Sequence, residues 1–580
     1  VASRATLVLA MGLGALLWGA TPAFATSPTV EAAREAEPQG SGYRNVAETT
    51  EMLQDVGGGL KVSMRVVTLV PNRGYTPIQV TVHNSGGQPR PVRLSINAQG
   101  RLIERSLELA PRERTVTWLM MPADLQSGTL TMSSPGLDTA SRGFYLDGAR
   151  GARVMVLGDV KAFEAATGLV YSPENVEPLV ATRFVEPRTA PRELAAYAGY
   201  DAVLVTVPAD QVPDDVWAVL ETYAVSGGKL VLDQPPANPR LRLPLLQDDK
   251  AELSPYGFGF VRQFRECRKQ EPGCGFSLWE DTQRSQSVVT PAGPPPRWER
   301  HDLLNDGRLP LLSSARAPVG RFLLLIFLFT LAVGPGGWML ARSKGPLAVL
   351  IAVPSLAVLT SLGLVAWSVL VDGFNVHAAR YSLTLLDRER SRAVTVGINA
   401  WYANLAEDGM RMPGSSVLLS ARDPEEPPRF LDWTNGLAVK NSFLPSRSYR
   451  EWGELAVVPS RARLAVHRAG GGVRVQNALG APLKGGTVKL DGRFWALPEL
   501  ADGAEGAATP LDAAPEDLLG MEHEPLSRFA DGVMPLSRAL EDGAFVARLG
   551  GRGFTPTAAL DVELEAALHV VRGQAEEARR

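Results

Sequence analysis

The chain has 580 residues, 45% apolar and 21% charged, with a formal net charge of -3. That balance excludes a disordered chain and a basic nucleic-acid footprint, and its length leaves room for about three or four domains with cores of their own. Six histidines and two cysteines leave little material for metal chemistry.

The apolar residues are concentrated in three segments. At the N-terminus Arg4 precedes an apolar run, Ala5 to Ala20, and Ala23-Phe24-Ala25 has the small-x-small pattern of a cleavage site before Thr26. Residues 1–25 therefore read as a signal peptide, with an uncleaved anchor as the alternative; both place the next domain outside the cytoplasm. Residues 26–58 begin with a stretch rich in Glu, Ala, Pro, Gly and Ser that has no sustained period, and they read as a flexible tether.

From residue 59 to 148 short alternating strands are expected. Ile78, Val80 and Val82 share one face, as do Val92, Leu94 and Ile96, and then Val116, Trp118 and Met120. Turn clusters such as Asn84-Ser85-Gly86-Gly87 separate them, which suggests an immunoglobulin-like β-sandwich. Residues 149–315 change to α/β character. Val154–Leu157, Ala202–Val207 and Leu230–Leu232 are continuous apolar runs suited to buried parallel strands. A helix opened by Pro213 and closed by Gly227-Gly228 lies between the last two. Strand, helix and strand in that order make a right-handed crossover and a parallel sheet.

Cys267 and Cys274 lie close together in the same segment. In an oxidising compartment the simplest expectation is one disulfide, since no further ligand lies near them for a metal site.

Phe322–Ala341 and Pro346–Val371 contain no charge, and each is long enough to cross a membrane. Only Arg342-Ser343-Lys344-Gly345 joins them, so a helical hairpin with a cytoplasmic turn is expected, both large soluble regions lying on the periplasmic side of a bacterial inner membrane. Arg316, Arg321 and Arg380 flank the other ends and weaken the charge rule, so the sidedness rests on the signal peptide. Residues 373–500 return to strands as a second sandwich, and 501–580 is a mixed C-terminal region. Val80, Val82, Asn84, Gly87 and Pro89 follow V-x-V-x-N-x-x-G-x-P, and Val473, Val475, Asn477, Gly480 and Pro482 repeat it at the same spacing. The pattern fits a strand leaving through an Asn-initiated turn. Duplication and convergence on turn chemistry both account for it.

Gly199-Tyr200-Asp201-Ala202-Val203-Leu204-Val205, then a helix, then Gly227-Gly228-Lys229-Leu230-Val231-Leu232, resembles the class I glutamine amidotransferase-like fold, with a flavodoxin-like parallel sheet. More narrowly, residues 60–500 resemble uncharacterised bacterial two-helix membrane proteins that join such a domain to β-sandwiches. Gly334-Pro335-Gly336-Gly337 matches a Gly-Pro common in their first span. Similar domains occur in auxiliary subunits of ABC-type exporters. Catalytic members of the amidotransferase fold need a Cys nucleophile after a strand and a His base. Here the strand runs into Pro208-Ala209-Asp210, and the only histidine of the domain is His301, so the resemblance implies the architecture without the activity.

Other candidates have plainer readings beside the functional ones. Asp159 ends a strand where α/β folds bind ligands, yet Gly-Asp is also an ordinary turn. His523 between two acids reads as a solvated surface. Trp401-Tyr402, Trp433, Trp452 and Trp495 form either core anchors or a sugar-stacking surface. Gly334, Gly336 and Gly337 pack either against the second span or against another protein's helix. The chain as a whole reads as a non-enzymatic, membrane-anchored binding or assembly scaffold without cofactor. Its expected partners are the lipid bilayer and other integral membrane proteins, transporter subunits among them, and not nucleic acid. An exported hydrolase or amidase with an unrecognised site, and a glycan-binding protein, are the rival readings.

Overall fold

The structure, a computed structural model, describes residues 42–45, 48–52, 55–67, 74–146, 152–171, 180–248, 251, 253–264, 311–313, 315, 319–367, 375–420, 429–469, 472–513, 515, 539–559 and 561–577. These are strand-rich, with four sheets and two long apolar helical segments. Cys267, Cys274, His301 and His523 lie outside the described residues, and so does the expected signal peptide.

The continuous apolar runs form a parallel sheet. Val180–Val185, Ala152–Leu157, Ala202–Val205, Lys229–Leu232 and Gly259–Gln263 lie side by side in that order, which is 2-1-3-4-5 in chain sequence. Alternation assigns their side chains to two layers. Val154, Val156, Ala202 and Leu204 pack with Phe163 of helix α1 (Val160–Thr167). Met155, Leu157, Val203 and Val205 face the main core together with Trp217 and Leu220 of helix α2 (Asp214–Val225). Gly42–Asn45, inside the stretch read as a tether, adds a further parallel strand beside Val180–Val185. Glu48–Met52 pairs with Leu60–Val67.

The repeated motif marks a repeated fold. Leu60–Val67 pairs with Tyr75–Asn84, which pairs with Arg114–Pro122; Arg90–Ala98 pairs with both Arg101–Leu109 and Ser127–Ser133, which pairs with Ala140–Tyr145. After the helical hairpin, seven further strands pair in the same antiparallel scheme: Arg463–Ala469, Gly472–Ala478, Leu483–Leu490, Arg493–Leu500, Glu505–Leu511, Ala544–Leu549 and Glu563–Gln574. Three of the seven come from the region read as mixed, 501–580. The two-residue hairpin Gln99-Gly100 has its counterpart in Asp491-Gly492, with φ of 48° and 78° against 51° and 73°. Both residues of such a turn need positive φ, which glycine adopts without strain.

The asparagines of the motif explain its spacing. Asn84 is buried, and its amide nitrogen lies 2.8 Å from the Gln88 carbonyl, 3.3 Å from Leu109 and 3.0 Å from Ala110. Asn477 is buried in the same way, 2.9 Å from Ala481, 3.3 Å from Leu500 and 3.1 Å from Ala501. Each side chain fixes the exit of one strand onto the end of another and satisfies carbonyls that the bend removes from the ladder.

Three strands of twelve residues and one of five follow the hairpin, ahead of the motif's second copy. Val376–Asp387 pairs with Arg392–Ala403, which pairs with Ser448–Pro459, itself beside Ser416–Ser420. Glu563–Gln574 runs parallel to Val376–Asp387 and joins this sheet to the second repeat. Phe430–Asp432 adds to the first repeat, parallel to Arg101–Leu109, with Phe430 opposite Leu102. Trp401, Trp433 and Trp452 are buried; Trp401 and Trp452 meet edge to face at 6.2 Å around Phe443. These three are core anchors, and Tyr402 and Trp495 are half-buried.

The hairpin is helix α3 (Val319–Leu331), a π-helical turn Ala332–Gly336, helix α4 (Gly337–Lys344), and, after Gly345, helix α5 (Pro346–Trp367). The π-turn contains Pro335, which has no N–H to give to an α-helical ladder, so the local widening has an identifiable cause. Leu323–Lys344 and Pro346–Leu364 are long and apolar enough to cross a membrane and bury almost nothing against the protein. A Cβ on Gly337 would lie 3.9 Å from Val349 of the second helix, so that glycine faces its own hairpin; Gly334 faces open space.

Candidate functional site

Two polar assemblies stand out against this apolar framework. The first joins the parallel-sheet region to the long strands that follow the hairpin. Helix α2 turns Glu221 inward with Trp217 and Leu220 and leaves it 1% exposed. Its carboxylate receives two hydrogen bonds from Arg392, Nη1 to Oε2 at 2.6 Å and Nη2 to Oε1 at 2.5 Å. The Tyr256 hydroxyl donates to Oε1 at 2.6 Å, and Arg390 Nη1 lies 3.3 Å from Oε2. Arg392 also donates from Nε to Asp387 at 2.8 Å across the tight turn between its strand and the preceding one. Two carboxylates thus face two guanidiniums. Burial raises the Tyr256 hydroxyl pKa, and the Glu221 charge raises it further. Burial alone would lower Arg392, but its hydrogen bonds to Glu221 and Asp387 carry it upward instead.

Beside Asp387 opens a cleft of about 200 Å³. Leu245, Gln247 and Pro255 line it from the parallel-sheet region, Leu385 and Val394 from the long strands, and Glu541, Arg572 and Gln574 from the second repeat. Three parts of the molecule therefore meet at one place.

The second assembly lies between the long strands and the second repeat. Glu454 is fully buried and accepts from Asn399 Nδ2 at 2.6 Å and from the Thr557 hydroxyl at 2.5 Å. Arg380, also buried, donates from Nη2 to the Thr557 carbonyl at 2.8 Å. Next to it Ser382 Oγ lies 2.7 Å from His569 Nδ1, and His569 Nε2 lies 3.1 Å from the Gly551 carbonyl. A carbonyl only accepts, so Nε2 carries the hydrogen and Nδ1 accepts from the serine. Burial pushes Glu454 up to about 7, against hydrogen bonds that pull the other way. It pushes His569 down to about 4 and Arg380 down to about 10. The serine–imidazole pair has the proton arrangement of a nucleophile and its base. Both residues are 2% exposed, so no substrate reaches them in this conformation.

The residues singled out from the sequence fall elsewhere. Asp159 is the N-cap of α1, its Oδ1 accepting from the Ala162 N–H at 2.8 Å. Thr206 lies against the preceding Gly158, and its hydroxyl donates to the Leu157 carbonyl at 3.2 Å. Asp210 lies exposed in the short turn Ala209–Gln211, whose Ala209 carbonyl accepts from Trp217 Nε1 at 2.9 Å. Neither takes part in the two assemblies. Sequence inspection passed over Glu221, Arg392, Glu454 and His569. The signal for Glu221 was an acid on the apolar face of a helix; the partners on distant strands carried none.

No family model matches the chain, and no curated protein does. Among solved structures, an Amycolatopsis orientalis exo-chitosanase is 13% identical over 32% of this chain and 22% of its own, at a TM-score of 0.12. A Bacteroides uniformis beta-glucuronidase is 9% identical over 33% of this chain and 23% of its own, at 0.11. The yeast delta-COP-I mu-homology domain is 11% identical over 34% of this chain and 96% of its own, at 0.15. The chain thus spans about a fifth of the chitosanase's length, and likenesses at such scores carry no functional argument.

Proposed function

We propose that this protein is a membrane-anchored scaffold of the bacterial envelope, non-enzymatic, that presents one rigid body to other integral membrane proteins. The observation that carries this reading is the joining of both flanks of the hairpin into one core. Leu102 N–H donates to Arg429 O at 2.7 Å, Trp433 N–H to Glu104 O at 2.8 Å, and Leu194 N–H to Gly414 O at 2.9 Å. A hairpin that crosses a membrane twice must then leave both flanks on one side. The apolar helices, with almost nothing buried against the body, fit a lipid environment and partner helices. The strand order 2-1-3-4-5 supports the flavodoxin-like, glutamine amidotransferase-like reading of the parallel sheet, and the repeated pairing scheme supports two immunoglobulin-like sandwiches. An export signal at residues 1–25 would place the body in the periplasm, beside transporter subunits such as those of ABC-type exporters. Gentle solubilisation of native membranes followed by isolation of the full chain tests this: a stoichiometric integral membrane partner is expected, and a chain recovered alone at every detergent strength overturns it.

An exported hydrolase is the second reading, and the hydrogen bond between Ser382 and His569 favours it. The scaffold reading expects Ser382→Ala, and the joint removal of Asp159, Asp210 and His301, to leave cellular function intact in folded protein. Loss of function in either case, with normal folding and membrane insertion, replaces the scaffold with the enzyme.

A further inference from the structure

The second repeat has an enlarged connection. In the first, Ser127–Ser133 passes to Ala140–Tyr145 through residues 134–139; in the second, Ala544–Leu549 passes to Glu563–Gln574 through residues 550–562. The two strand pairs match, with Met132 opposite Ala140 and Leu549 opposite His569. Residues 550–557 of the longer connection fold back as a strap over the long strands. The Gly551 carbonyl accepts from His569 Nε2, the Thr557 carbonyl accepts from Arg380 Nη2, and Glu454 accepts from the Thr557 N–H and hydroxyl. A Cβ on Gly397, within those strands, would lie 3.8 Å from Thr555.

The face under the strap is polar, where a buried sheet face is ordinarily apolar. Arg380, Ser382 and Thr384 alternate along one strand, with Asn399, Glu454 and His569 on other strands of the same sheet, and all six are buried. Buried polar groups cost stability unless each finds a partner. Ser382 pairs with His569, Thr384 with Thr395, and Asn399 with Glu454. Arg380 is the exception. Only its Nη2 is engaged; Nε and Nη1 are buried and meet no acceptor among the described residues. Glu454, whose charge Arg380 feels, turns its oxygens to Asn399 and Thr557. Arg552, exposed on the strap, adds a second positive charge that Arg380 also feels. Even lowered to about 10 by burial, Arg380 keeps its proton at neutral pH.

We propose that the face beneath the strap is a binding site for a small carboxylate, admitted when residues 550–557 lift and held by Arg380 Nε and Nη1 when they close. One uncompensated positive charge calls for one negative charge. That selects a carboxylate over a phosphate dianion, whose second charge would confront Glu454. The strap has its hinge in Gly550, Gly551 and Gly553. Gly551 and Gly553 take φ of 84° and 70°, and a Cβ on Gly553 would strike the His569 ring at 2.5 Å. The carboxylate belongs to a free organic acid or to the end of a peptide chain. The site goes beyond the scaffold reading and does not depend on it.

Thermal unfolding of the full chain in detergent, with sodium acetate exchanged for sodium methanesulfonate at constant ionic strength, tests the site. Acetate is expected to raise the wild-type Tm saturably, by about 2–4 °C at a few times its half-saturating concentration. It should also slow hydrogen exchange of residues 550–557. Arg380→Met should melt at or above wild type without acetate, because a buried unpaired charge is gone, and should respond to acetate in neither measurement. Trialanine with a free C-terminus, set against its amide, assigns the source. A response to the free peptide as well as to acetate identifies a chain end, and a response to acetate alone identifies a small acid. No saturable rise, a rise that Arg380→Met shares, or unchanged exchange in 550–557 each overturns the proposal. So does an Arg380→Met chain that melts below wild type or fails to fold without acetate, since the guanidinium would then be satisfied by the chain's own residues. A stoichiometric membrane partner without an acetate response would overturn the site and leave the scaffold standing.

Discussion

Arg392 and Glu221 form a two-pronged ion pair, 2.6 and 2.5 Å, between residues 171 positions apart and on opposite sides of the helical hairpin in the chain. The pair is nearly closed to solvent, so its attraction is little screened and its desolvation cost is large.

Replacing Arg392 with Met should destabilise the body by about 3–5 kcal/mol, because a buried carboxylate is left with too few donors. The double variant Glu221→Leu, Arg392→Leu should recover most of that loss, since it removes both charges. Chemical denaturation in detergent reads both. A single variant within about 0.5 kcal/mol of wild type would show that the pair is not closed.

Stability should respond to pH through two groups of opposite sign. Glu454 is raised from 4.5 to about 7, so the stability it contributes is present below pH 4.5 and is lost as pH rises towards about 7. His569 is lowered from 6.5 to about 4, so its contribution is present above pH 6.5 and is lost as pH falls towards about 4. Where the windows overlap the two slopes oppose, and the wild-type protein should be nearly flat. Glu454→Gln should uncover a rise in stability with pH, and His569→Gln a fall, each on the order of 3 kcal/mol across its window. Flat profiles in both variants would mean that neither group is buried as described.

Asn84→Ala and Asn477→Ala should cost similar amounts, about 2–3 kcal/mol each, because each leaves carbonyls at a strand exit without a donor. Their effects should add, being in separate repeats. Asn→Asp at either position should be worse, since a charge would then face those carbonyls. Thermal unfolding of the two singles and the double decides this; unequal or strongly non-additive values would argue against equivalent roles.

Single cysteines at Tyr145 and Leu405, both well exposed, should react with a membrane-impermeant maleimide from the same side, and one at Lys344 from the other. Labelling of Tyr145→Cys and Leu405→Cys from opposite sides would be incompatible with one folded body.

The sequence by itself determined what depends on neighbours along the chain. The charge-free runs from Phe322 and Pro346 predict spanning helices because a helix satisfies its own backbone groups and length decides the rest. The repeated V-x-V-x-N-x-x-G-x-P predicts equivalent bends because strand alternation and the asparagine turn are local chemistry. Buried parallel strands show as unbroken apolar runs for the same reason. Only the tertiary structure decided which strands share a sheet. Phe430–Asp432 is three residues long and carries no signal that it lies against Arg101–Leu109, with Arg105 Nε donating to Trp433 O across 328 positions. Glu221 is visible as an anomaly on an apolar helix face, but the arginine that neutralises it lies beyond the two long apolar helices. Periodicity is set by the few residues that share a turn or a pleat, whereas pairing is set by which distant surfaces exclude water together.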